Sequence, residues 1–173
     1  NFKHYMLNST FIALASTALA LALGTPAAYA LARLRIRGRE LWALLILFSR
    51  MVPAVVLVVP MFVIFSHLHL INTYPALIAA HTTFELPLVI WMMRSFFEDL
   101  PVELEEAARV DGASRIGAFW RVALPLTAPG LTATAILSLL FSWNEFLFAL
   151  VLSGPDTRTM PVGVSSFIGT VSI

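Results

Sequence analysis

Glu106, Ala107, Ala108, Asp111, Gly112, Arg115, Ile116 and Phe119 stand in the one crowded charged stretch of this 173-residue chain, FFEDLPVELEEAARVDGASRIGAFWRVALP. Their chemistry is recognition rather than bond making. The stretch carries carboxylates, guanidiniums and aromatic knobs on two helical patterns with a break between them. A helix bearing both kinds of side chain suits insertion into a groove of a soluble partner. Glu106 is placed to pair with a basic residue there, and partly desolvated pairs matter more than surface ones. A second set, Trp143, Asn144 and Glu145, interrupts a long apolar run with an aromatic face, an amide and a carboxylate. Glu85 is the other carboxylate inside such a run. Ionisable groups in that setting line a pathway or bond another helix, unless they sit at an interface and meet water. His67, His69 and His81 read as interface histidines rather than a metal site, because the first two lie in a linker without Cys or paired carboxylates.

The elements that must position these residues are membrane spans. The chain is 59% hydrophobic and 12% charged, with a mean hydropathy of +0.86. Soluble domains carry about 25% charged residues. A net charge of +1 and the lack of a basic stripe beyond RLRIRGRE argue against nucleic acid. Without cysteine there is no disulfide, thiolate or Cys–metal chemistry. Spans are expected at about 6–32, 41–66, 76–97 and 131–152, each long enough for about 30 Å of hydrocarbon. Ala18, Ala22 and Ala28 permit close helix contact in the first. Pro53 and Pro60 fall inside the second, where a membrane bundle tolerates them. Residues 162–173 read as the approach to a further span, and a start at Asn1 and an end at Ile173 read as cut ends.

Four spans put loops 33–40 and 94–124 on one side. They hold Arg33, Arg35, Arg37, Arg39, Arg94, Arg109, Arg115 and Arg121, against Lys3 and Arg158 on the other. The arginine-rich side is therefore expected to be cytoplasmic. The charged loop, about 98–124, is expected to fold as a helix to about Val110 and a second over Ala113 to Leu124. Pro101 suits the first turn, Glu103 to Glu106 complement its positive end, and Glu105 and Arg109 are four apart. Gly112 supplies the break and Asp111 the cap of the second helix. Ile116, Phe119 and Trp120 either fill a partner's groove or seal the loop against the membrane helices.

At this loop the sequence resembles the permease subunits of bacterial ATP-binding-cassette importers, in the carbohydrate-uptake branch. The family hallmark is E-A-A, three residues, G, then about nine residues, an apolar residue and L-P. Glu106, Ala107, Ala108, Gly112, Leu124 and Pro125 fit it. LPVELEEAARVDGAS, SWNEFLFAL, NST, GTPAAYALARLRIRGR and PVGVSSF are similar to the second, maltose-type inner permease of a sugar importer. The resemblance covers essentially the whole chain. It implies an all-α polytopic bundle, the transmembrane domain of a type I importer, with the first and last spans of a six-span subunit absent. It implies a multi-pass protein of the bacterial inner membrane, among lipids, working with a second homologous permease, two copies of a cytoplasmic ATPase and an extracytoplasmic sugar-binding protein. The loop would be the coupling helix that docks in the ATPase. Trp143, Asn144 and Glu145 would border the sugar's path. The subunit would catalyse nothing and bind no cofactor, ATP and Mg belonging to the ATPase; no Walker A sequence is present. Other readings are a non-conducting scaffold or assembly subunit, a permease for a non-sugar solute, and a secondary transporter, which would need its own ion-coupling residues near mid-membrane.

Overall fold

The computed structural model describes residues 2–171, with side chains placed through residue 166. Asn1, Ser172, Ile173 and the Phe167 side chain of PVGVSSF lie outside the described residues. The fold is an all-helical membrane bundle. In chain order it runs α1 Phe2–Arg33, α2 Arg39–Ser49, α3 Ala54–His67, α4 Tyr74–Asp99, α5 Val102–Val110 and α6 Arg115–Ala118. A π-helical turn, Phe119–Ala123, leads into the short α7 Leu124–Leu126, then α8 Ala128–Trp143, α9 Leu147–Leu152 and α10 Met160–Val171. Helices α1 and α4 are each long and apolar enough to cross a membrane. Two bent pairs, α2 with α3 and Arg115–Leu126 with Ala128–Trp143, raise the number of candidate spans to four if each pair is one broken span.

The core is the α1–α4 pair, with α8 packed on both. Lipid offers no hydrophobic drive between helices, so close contact depends on small residues. The buried stripe of α1 is Ala13, Ser16, Thr17, Ala20, Gly24 and Ala28. Ala28 lies on the contact as expected, whereas Ala18 and Ala22 face outward. At Gly24 an added Cβ would stand 2.6 Å from Val89 Cγ1. Gly130 of α8 lies so close to the Phe96 ring of α4 that a Cβ there would overlap it. One end of the bundle is filled by Leu31, Met93, Phe97 and Phe119, the other by Ile12, Leu77, Phe148 and Leu152.

The apolar run 41–66 is not one rod. It breaks between Ser49 and Ala54, and α3 leaves α2 at 87°. Pro53 has no N–H to return and disfavours helical geometry at Val52, so it starts a new helix instead of sitting inside the old one. Pro60 and Pro87 do remain inside α3 and α4. The run 131–152 divides likewise, into α8 and α9, at Asn144 to Phe146. At the end where α4 begins, the linker and the 153–159 turn are tied together: Asn72 N–H donates to the Leu152 carbonyl, and Thr157 Oγ1 donates to Asn72 Oδ1 at 2.9 Å.

Candidate functional site

The loop over 98–124 is held down by one ion pair and one aromatic ring. Pro101 precedes the first turn of α5 as its N-cap, with Glu103 and Glu105 in that turn. Glu105 does not pair with Arg109 along its own helix. It points inward, 5% exposed, and meets Arg33 at the end of α1, Nε to Oε1 at 2.7 Å. Arg33 also donates to the Leu100 carbonyl, and the Tyr29 hydroxyl donates to the other Glu105 oxygen. Each member of this buried group therefore has a partner, as burial of charge requires.

Beyond α5 the chain turns at Gly112, whose φ of +91° suits glycine. The expected cap is corrected here. Asp111 ends α5, and Ser114 begins α6, its Oγ accepting the Gly117 N–H at 3.0 Å. Asp111 lies before the left-handed residue, on the far side of the turn from the amides it was expected to serve.

Phe119 seals the loop from below. It is buried against Tyr29 at 4.7 Å between ring centres and against Phe97 at 6.1 Å. Ile116 and Trp120, in contrast, are 72% and 58% exposed. Of the three apolar residues, Phe119 is the one buried against the membrane helices. Glu106, Ala107, Asp111, Gly112 and Arg115 are exposed as well, with Ala108 half-buried. Between α1 and α5 runs a polar cleft of about 390 Å³, lined by Arg33, Arg35, Glu105, Glu106, Arg109 and Arg115. A second ion-pair group lies close in sequence: Arg94 near the end of α4 donates to both Glu40 oxygens, at 2.7 and 2.8 Å, and to Glu98 at 2.7 Å. It pins the start of α2 to α4.

The second set of residues lies at the α8–α9 break. Asn144 is exposed and donates to the Leu140 carbonyl of its own helix at 2.7 Å. Trp143 is half-buried. Glu145 curls back and accepts the N–H groups of Phe148 and Ala149, at 2.9 and 3.0 Å, at the start of α9. Near it runs a polar chain that sequence reasoning missed. His81 Nδ1 lies 2.8 Å from Ser142 Oγ, Ser142 2.9 Å from Ser16 Oγ, and Ser16 donates to Glu85 at 2.8 Å. Thr17 donates to the other Glu85 oxygen at 3.2 Å. With each member donating towards Glu85, every group but one is satisfied. The remaining atom, His81 Nε2, has no hydrogen-bond partner and faces Glu145 Oε2 at 3.5 Å. Glu85 and His81 are both fully buried, so neither meets water at an interface. The chain binds α1, α4 and α8 and reaches the break that carries Glu145. In the sequence Glu85 stood out, and His81 only as an interface histidine; the bonded residues lie 61 to 126 positions apart along the sequence. Among the described residues, no three His, Cys, Asp or Glu side chains are grouped to hold a metal ion.

A family model described as "Binding-protein-dependent transport system inner membrane component" matches residues 20–169. The chain is 45% identical over 166 residues to the sulfoquinovosyl glycerol transport system permease of Agrobacterium fabrum, covering 95% of this chain and 58% of that one. It is 42% identical over 170 residues to the trehalose transport system permease of Mycobacterium tuberculosis, covering 98% and 62%. The fold also matches a solved bacterial ABC transporter involved in import of the acidic polysaccharide alginate. That match has a TM-score of 0.78 at 28% identity, over 99% of this chain and 64% of that one. The chain therefore spans about three-fifths of these proteins' lengths.

Proposed function

The chain belongs to the family of binding-protein-dependent transport inner membrane components, and from that premise we propose that it is a permease subunit of an ATP-driven sugar importer. It forms half of the translocation pathway and makes or breaks no covalent bond. A second homologous permease completes the pathway. Two copies of a cytoplasmic ATPase hold ATP and Mg beneath it. An extracytoplasmic binding protein delivers a sugar, of di- or oligosaccharide size by analogy with the trehalose and maltose permeases among its relatives. The loop over 98–124 faces the cytoplasm of a bacterial cell and docks in the ATPase. Closure of the ATPase pair draws the coupling loops together and switches the permeases from inward-facing to outward-facing.

The observation that carries this reading is the division of labour within the loop. Its inner face is fixed to the bundle through Glu105–Arg33 and Phe119–Tyr29. Its outer face presents Glu106, Asp111, Arg115, Ile116 and Trp120. A connector needs no such foundation, but a lever does. Force applied at the exposed face passes directly into α1. Two experiments on the full assembly test the reading: capture of the ATPase by the purified permease pair, and ATP-dependent sugar uptake into vesicles. Glu106→Lys is expected to lower ATPase capture and uptake while the permease still enters the membrane. Normal capture and uptake with that variant remove the coupling role from this loop.

A further inference from the structure

Three clefts run end to end along the Arg33 end of α1. The first is the polar cleft between α1 and α5. Arg33 and Glu105 on its walls neutralise each other. Arg35, Arg109 and Arg115 share the remaining wall with one carboxylate, Glu106. All three arginines are exposed, and none lies within ion-pairing distance of a carboxylate among the described residues. The cleft therefore carries surplus positive charge at the end of a membrane helix, the level at which basic side chains meet lipid headgroups.

The second cleft, of about 460 Å³, shares Tyr29, Leu34 and Arg115 with the first. Its other walls are apolar: Pro26 and Ala30 of α1, and Ile116, Phe119 and Trp120 of the loop. The third, of about 190 Å³, shares Pro26, Phe119 and Trp120 with the second and continues past Thr25 to Leu21, Ala22, Leu124 and Leu131. From Leu34 to Leu21 the groove follows α1 for about 20 Å. One leaflet has the same depth, half of the roughly 40–45 Å of a bilayer with its headgroups. Charge stops where the hydrocarbon begins: Arg115 is the one charged residue on the second cleft, and no Asp, Glu, Lys or Arg lines the third. A soluble anion would use the first cleft alone. An apolar helix of another chain would cover the second and third and leave the arginines unmatched. A phospholipid has both parts.

We propose that this groove seats one anionic phospholipid, its phosphate held by Arg35 and Arg115 and one acyl chain laid along α1 between Ala30 and Trp120. Guanidinium forks suit phosphate oxygens. The acyl chain covers Ile116 and Trp120, which are 72% and 58% exposed. It also rests against Tyr29 and Phe119, the two rings that seat the loop, so the lipid braces the loop from the membrane side. Asp111 and Gly112, at the turn, lie outside all three clefts. The site depends on the membrane bundle and not on which solute the permease carries.

The test places the purified full transporter in phosphatidylcholine nanodiscs. These carry a small fraction of photoreactive phosphatidylglycerol or photoreactive phosphatidylcholine, each with a diazirine midway along one acyl chain. After illumination the crosslinked peptides are mapped by mass spectrometry. Phosphatidylglycerol is expected to label 21–34 and 116–131 about ten-fold more than phosphatidylcholine does, as a few basic groups at the headgroup level allow. Arg35→Gln and Arg115→Gln should each lower that labelling about five-fold, and Arg35→Lys should keep most of it. Ala30→Trp, which fills the groove without changing charge, should lower labelling there by both lipids. Equal labelling by the two lipids in the wild type overturns the proposal, as does a preference that survives both Arg→Gln substitutions. Labelling by neither lipid means that protein covers the groove, from the second permease or from a further span of the subunit, and overturns it too. Labelling unchanged by Ala30→Trp removes the acyl seat. Loss of the preference on adding glycerol 3-phosphate would make the arginines a site for free phosphate instead of lipid.

Discussion

Removing the Glu105 carboxylate should unseat the loop without unfolding the bundle. In the structure this carboxylate takes Arg33 on one oxygen and the Tyr29 hydroxyl on the other, and the two charged side chains are 13% and 7% exposed. Glu105→Ala leaves Arg33 with only the Leu100 carbonyl and leaves Tyr29 without this acceptor. Breaking a buried pair from one side costs about 3–5 kcal/mol. The residual exposure of Arg33 sets the expectation at the lower end, about 3 kcal/mol. Glu105→Gln keeps an acceptor for Tyr29 and loses only the charge, a cost of about 1.5–3 kcal/mol. The α1–α4 core does not depend on this pair, so the loss should appear as local opening. At about 1.4 kcal/mol per factor of ten, amide exchange over 102–110 should rise roughly ten- to hundred-fold in Glu105→Gln, and exchange in the middle of α1 and α4 should not. The double variant Arg33→Gln/Glu105→Gln should open the loop no further than the worse single variant, because both remove the same bond. Unchanged exchange over 102–110 would refute the argument, as would additive effects or an equal rise throughout α1 and α4.

At Gly112 the space around a Cβ is open and only φ is restrictive, so Gly112→Val should impair ATPase capture while Gly112→Asn, which tolerates left-handed geometry, retains most of it; equal capture by both would show that the turn conformation does not matter. Gly130→Ala should lower the thermal midpoint by the equivalent of about 1–3 kcal/mol of overpacking, and adding Phe96→Ala should recover part of that in a melting experiment on the same complex. Asn144→Ala and Glu145→Ala should each lower sugar uptake with assembly intact, and unchanged uptake in both would leave Glu145 only its hydrogen bonds to α9. Single cysteines at Leu70 and Ala113 should be labelled from outside and spared, respectively, in intact cells, and the reverse pattern would invert the proposed orientation.

The sequence shows where chain is apolar, and α1 and α4 follow those runs closely. It shows less well where an apolar run stops being one helix. Pro53 and Pro60 look alike on paper, yet one starts a helix and the other sits inside it. The difference is set by which neighbours can stabilise the freed backbone groups. The loop's exposed residues were legible because a charged, glycine-broken segment between apolar runs has few other uses. Its foundations were not. Glu105 and Arg109 have helical spacing, and only the folded end of α1 brings Arg33 within 2.7 Å of that carboxylate. The same holds for Ser16 and Ser142, ordinary hydroxyls in apolar runs until α1, α4 and α8 bring them together around Glu85 and His81. Asp111 and Ser114 are both good caps, and the choice fell to the one whose oxygen reaches the Gly117 amide after the turn at Gly112.

Tyr29 is the side chain that touches both halves of the loop: its hydroxyl bonds Glu105 of α5, and its ring packs on Phe119 beyond the turn. The loop is therefore not a portable module. A chimaera that exchanges only residues 98–124 between two permeases would transplant one side of a joint and leave the other behind. Exchanging the end of α1 with it, from Tyr29 through Arg33, would move the joint whole. For the same reason, substitutions at Tyr29, Glu105 and Phe119 cannot drift separately, since a change at any one alters the seat of the other two.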